Sequence, residues 1–234
     1  SPDTFMKVFN EAVAAGDDVL GIFISSDLSG TYQSACLAAL DVEEETRKKL
    51  YMVDSRSASI GTALLIREAV KLRDAGVNVS DIAAACTEMS KYIKLTAVVG
   101  SLKYLKMGGR LSGAAAFAGT MLHITPVVSI EDGKVVVIGK TRGKKAAEKL
   151  MHDKLIKDGL SLTRDFMFGH INCSESLETF INKSLTYISD VNGNVGVSSI
   201  GCSVGTHVGP GTYGIAYVEA AESGMNRESI VKTA

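Results

Sequence analysis

Ile24-Ser-Ser-Asp-Leu-Ser-Gly-Thr-Tyr-Gln-Ser-Ala35 (ISSDLSGTYQSA, residues 24–35) decides how this chain is read. The apolar run Val19–Ile24 leads into it, and a helical pattern over Ala35–Leu40 leads out. A strand that leaves a core, turns through hydroxyls and a glycine, and enters a helix is a β–turn–α unit. The surplus of hydroxyls has two readings. One hydroxyl is enough to cap the helix. Several hydroxyls beside Gly30, which lets a ligand approach the backbone, also make a cradle for a carboxylate or phosphate at a helix N-terminus. Ser29 is the best-placed donor, with Ser26, Gly30 and Thr31 around it; the stretch alone leaves both readings open.

Upstream, Phe5, Val8, Phe9, Ala12 and Val13 fall on one face of a helix over residues 2–15, with Ser1 at the N-cap and Pro2 as its first residue. Downstream, helix 30–40 gives way to a charged surface segment, Val42–Leu50. A short strand follows, Tyr51–Asp54, whose end (Asp54-Ser-Arg-Ser57) again supplies caps. Helices over about 57–75 and 80–90 and a strand over Lys94–Val99 complete the first half. Strands alternating with helices predict a parallel sheet, with ligands gathering beyond the carboxyl ends of its strands. The second half reads differently. Pro126–Ile130 and Lys134–Gly139 form a hairpin through Glu131-Asp132-Gly133. Helix 143–158, strand 165–171, helix 174–189 and strands 195–200 and 213–219 follow. The expectation is an α/β protein of two α/β domains, 1–120 a parallel three-layer sandwich and 121–234 with a mixed sheet.

Bulk properties exclude several functions. The 234 residues are 46% hydrophobic and 22% charged, enough to bury a sizeable core, and the net charge of −1 lacks the basic excess of a nucleic-acid or membrane-surface binder. No apolar run is long enough for a membrane span. Four scattered cysteines (36, 86, 173, 202) read as reduced thiols of a cytoplasmic protein. Four histidines without ligand spacing argue against a metal, and no Walker-type loop is present.

Other segments carry chemistry in a second reading. Lys106–Ser112 ends a helix on Gly108-Gly109 and offers Arg110, which is either solvated or functional. The small residues of Ser112–Thr120 serve either close helix packing or an apolar channel. Lys140–Lys145, with Arg142, is a basic helix start that is either solvated or a seat for an acidic partner. Gly201-Cys-Ser203-Val-Gly205 fits the nucleophile-elbow pattern, but Gly209-Pro210-Gly211 is expected to break the helix an elbow needs, and no acid lies between Ser203 and His207. Gly205–Gly214 is expected to be a tight loop presenting His207.

Taken in order, ISSDLSGTYQSA (24–35), VDSRSASIG (53–61), YLKMGGR (104–110), SGAAAFAGTMLHITPV (112–127), GKTRGKKA (139–146) and GTHVGPGTYG (205–214) resemble the DegV family of fatty-acid-binding proteins, which includes carriers serving bacterial fatty acid kinase. The resemblance implies two α/β domains with a lipid tunnel between them, a bound long-chain, palmitate-like fatty acid, no cofactor and no catalysis by this chain alone. It places the carboxylate at Ser29 and His207, and matches Arg110 and Arg142 to basic positions tied to the kinase catalytic subunit as partner. Asp54 and Ser55 also match a family motif and read as cap and loop residues. Ser1-Pro2 resembles the tail of a Thr-Ser-Gln-Pro-Ser element, so the upstream strand and a carboxylate-binding threonine are expected to be missing from this sequence. Ser112-Gly113 and His123 depart from the family pattern. A tail of about 14 methylenes gains ~11 kcal/mol on burial before ordering costs, and its carboxylate must be paired once out of water. The competing hypotheses are a small-molecule hydrolase or phosphotransferase using the same anion site, and an interaction module without ligand.

Overall fold

The computed structural model describes residues 1–112, 124–161, 163–188 and 193–220. Five layers stack as helix, sheet, helix, sheet, helix. The first sheet is a parallel pair, β1 (Val19–Phe23) beside β2 (Leu50–Asp54). Helices α1 (Pro2–Ala14) and α2 (Thr31–Thr46) cover one of its faces through Phe9, Ala35, Ala38 and Val42. Helices α3 (Ile60–Asp74) and α4 (Val79–Met89) cover the other. A Schellman motif stops α3, with the Gly76 N–H donating to Arg73 O and the Val77 N–H to Leu72 O. Asn78 then caps α4 by accepting from the Asp81 N–H at 3.0 Å.

The second sheet has six strands in the order β5-β4-β3-β8-β6-β7. These are β3 (Ile93–Val98), β4 (Ile124–Glu131), β5 (Lys134–Arg142), β6 (Phe166–His170), β7 (Val195–Ser199) and β8 (Tyr213–Val218). All neighbours are antiparallel except β6 and β7, so the sheet is mixed. Leu64 and Leu65 of α3 share a core with Met167, Ala216 and Val218, so α3 lies between the two sheets. On the far face, α6 (Lys144–Asp158) and α7 (Ser174–Ser184) pack Met151, Leu155 and Phe180 against Phe168, Tyr213 and Ile215.

Three sequence expectations change. The strand expected to extend the parallel sheet, β3, instead runs antiparallel between β4 and β8. It is covered on both faces, and an apolar run of that kind reads alike in a parallel and a mixed sheet. The segment after Leu40 continues α2 to Thr46, anchored by the fully buried Val42, with its charges on the outer face. The expected loop at Gly205–His207 is helical: α8 runs Cys202–Val208, and only Gly209 (φ 79°) and Gly211 (φ 79°) take the turn. The Asp-Gly hairpin forms as read, with Asp132 at φ 49° and Gly133 at φ 80°, both central residues left-handed as a type I′ turn requires.

Candidate functional site

The loops leaving β1 and β2 lie side by side and are laced together. The Ser25 N–H donates to Ser57 O at 2.8 Å, and the Ser55 N–H to Phe23 O at 3.0 Å. The Ser26 N–H reaches the Asp54 carboxylate at 3.3 Å. Ser25 is buried, and its Oγ donates to Gly133 O at the β4–β5 hairpin tip at 2.8 Å. That tip also pairs Asp132 with Arg56 at 3.0 Å and Lys134 with Asp27 at 3.5 Å. A strand pair from one sheet is thus clasped by a hairpin from the other.

Beneath this clasp is a cavity of about 280 Å³. Alternate residues of two strands, Leu95 and Ala97 on β3 and Val128 and Ile130 on β4, make its apolar wall; Ile24, Leu28 and Ala58 come from the loops and Ile60 from the start of α3. Its polar members include Ser29, Thr31, Arg110 and His207. Ser29 Oγ and Thr31 Oγ1 are 2.8 Å apart, and the Thr31 N–H donates to Ser29 Oγ at 3.3 Å, so the hydroxyl that lines the cavity also supports the start of α2. Helix α5 (Leu102–Met107) stops at Gly108-Gly109 and hands the chain to Arg110. The guanidinium of Arg110 donates from Nε to Leu28 O at 3.1 Å and from Nη1 to Gly108 O at 2.6 Å. The imidazole of His207 lies against Gly108; a Cβ there would sit 2.3 Å from its Nδ1.

Of the residues singled out from sequence, Ser29, Thr31, Arg110 and His207 therefore meet at one cavity. Ser26 braces Asp54, Gly30 is the exposed N-cap of α2, and Arg142 is exposed at the end of β5; none of the three lines the cavity. The small-residue run beyond Ser112 and His123 lie outside the described residues. Sequence reading gave Ser59 and Thr212 no role and weighed Ser203 only as an elbow nucleophile, yet all three line it. The Thr212 hydroxyl donates to Val208 O at 3.0 Å. Alternation of apolar residues in β3 and β4 was a readable signal for the wall; nothing in the sequence marked the hydroxyls of Ser59 and Thr212.

The helix α8 removes one ground for rejecting an elbow at Ser203, since the chain is helical from Cys202 through Val208. Two others stand. Ser203 is not among the residues with positive φ, so the strained turn of an elbow is missing. Among the described residues no Asp or Glu lines the cavity, so His207 has no acidic partner there. Nor does any group of three or more His, Cys, Asp or Glu among them form a metal site. No helix among the described residues is long and apolar enough to cross a membrane.

An apolar cavity with hydroxyls, an imidazole and a guanidinium in its wall is chemically suited to an amphiphile with an anionic head. The family model described as "uncharacterised protein, DegV family" matches residues 1–220, and the chain belongs to the DegV family. It is 35% identical over 227 residues to a DegV domain-containing protein of Clostridium acetobutylicum, covering 93% of this chain and 76% of that one. Its fold superposes on that of a DegV-family protein from Thermus thermophilus, described by its fatty acid binding, with a TM-score of 0.83, 30% identity and coverage of 93% and 77% of the two chains. DegV of Bacillus subtilis, described as a fatty acid binding protein, gives a TM-score of 0.76 at 25% identity, covering 94% and 77%.

Proposed function

We propose that this chain binds a long-chain, palmitate-like fatty acid without chemically altering it, and presents the acid to a partner kinase catalytic subunit. The carboxylate sits at Ser29, Thr31 and His207, and the tail runs along the β3–β4 wall between the two halves of the chain. Arg110, half in the cavity wall and half outside, and the exposed Arg142 face the partner. The observation that carries this reading is the meeting of Ser29 and His207, residues far apart in sequence, in the wall of one apolar cavity. The fatty acid binding described for the relatives supports the ligand class.

The test is to purify the protein natively, extract it with organic solvent and record a mass spectrum. A stoichiometric long-chain acid is expected. Ser29→Ala removes a hydrogen bond to a charged head and is expected to weaken fatty-acid affinity by about tenfold to a hundredfold. Unchanged affinity in that variant sinks the head-site assignment.

A further inference from the structure

Ser59 occupies the N-cap position of α3, where a serine ordinarily accepts a hydrogen bond from the first turn. It makes no such bond. Its backbone is at φ 49°, ψ −118°, a conformation glycine takes freely and serine does not. Asn78, at the same position of α4, shows the ordinary alternative: φ −69°, ψ 157°, with its side chain capping the helix. Among the described residues, Arg47, Arg56, Asp132 and Asn172 also have positive φ without being glycine, but only Ser59 lines the cavity.

The surrounding loop holds the strain in place. A Cβ on Gly61 would lie 2.0 Å from Ser57 Oγ, so the residues two before and two after Ser59 are packed against each other. Ser57 is itself buried, and its carbonyl accepts from the Ser25 N–H at 2.8 Å. That bond ties the Ser59 loop to the loop carrying Ser29, and both serines line the same cavity. Strain that forfeits a cap and leaves a hydroxyl in a cavity wall is a cost with no structural return, and such outliers cluster where a ligand is held.

We propose that Ser59 is a second head-group serine, donating its hydroxyl to the ligand's carboxylate alongside Ser29. This rests on the fatty-acid reading above. A carboxylate has about four acceptor sites, so two serines, Thr31 and an imidazole do not oversupply it.

The test measures hexadecanoic acid and its methyl ester against the full chain, with wild type, Ser29→Ala, Ser59→Ala and Ser59→Gly. Ser59→Ala and Ser59→Gly are both expected to bind the acid about tenfold more weakly, with a clearly smaller loss for the ester. The ligand-free Tm of Ser59→Gly is expected to hold or rise, because glycine takes the backbone without strain, whereas Ser59→Ala keeps the strain and gains nothing. A variant that is as stable and yet binds more weakly separates ligand contact from a folding role. Unchanged affinity for the acid in both Ser59 variants, with Ser29→Ala weakened, overturns this inference alone. Equal losses for acid and ester overturn it too, by placing Ser59 on the tail. A wild type that binds no hexadecanoic acid overturns the carrier reading and this inference with it.

Discussion

Asp165 shows how a single residue ties the central helix α3 to the edge of the second sheet. It is 1% exposed and meets Arg67 and Lys71 of α3 and the N–H of Asn194. Burial pushes its carboxyl up, but the Lys71, Asn194 and Arg67 hydrogen bonds together outweigh burial and hold it down at about 2. A carboxyl depressed in the folded state contributes stability that is complete above its unfolded value of 3.8 and is lost as pH falls toward about 2. The contribution is about 2 kcal/mol. Urea unfolding at pH 5 and at pH 2.5 should show Asp165→Asn destabilised by about that amount at the higher pH and much closer to wild type at the lower. An equal deficit at both would show that packing, not charge, is what the residue supplies.

At the scale of elements, the β4–β5 hairpin joins fold to site. Gly133 stands at φ 80°, and a Cβ there would lie 2.6 Å from Ser25 Oγ. Gly133→Ala is expected to cost about 2 kcal/mol from the left-handed backbone and the clash, read as a lower denaturant midpoint, and to weaken fatty-acid binding by disturbing the Ser25–Ser29 loop. This hairpin was legible because Asp-Gly between apolar runs has a local mechanism. So was the Ser29 loop, where the hydroxyls outnumber what a cap needs. The pairing of β3 was not legible, because strand partners are chosen by packing that lies far away in sequence. Helix α8 was masked by its glycines: Gly201, Gly205 and Gly209 read as loop, but α5 packs against α8 and holds it helical. Ser59 was invisible for a different reason, since a positive φ belongs to the backbone and serine gives no sign of it.

For the whole molecule, the central position of α3 matters most, since its buried leucines belong to one core with both sheets on it. Unfolding either sheet alone would strip that core. The clasp over the cavity is another matter: of its three ties, Arg56–Asp132 and Lys134–Asp27 are exposed ion pairs and only Ser25–Gly133 is buried. Exposed pairs contribute under about 1 kcal/mol each and are screened by salt. The hairpin tip is thus held to the β1 and β2 loops by little more than one hydrogen bond, while its base is held by a whole sheet. A ligand's dwell time and its affinity then answer to different residues. Arg56→Ala with Lys134→Ala is expected to raise the association and dissociation rates of a fatty acid together, leaving the Kd nearly where it was. Stopped-flow rates that move singly would show the ion pairs to be part of the seat; rates that move in step would make the hairpin a door, and would let the speed of lipid exchange be tuned by surface charge without altering which lipid is held.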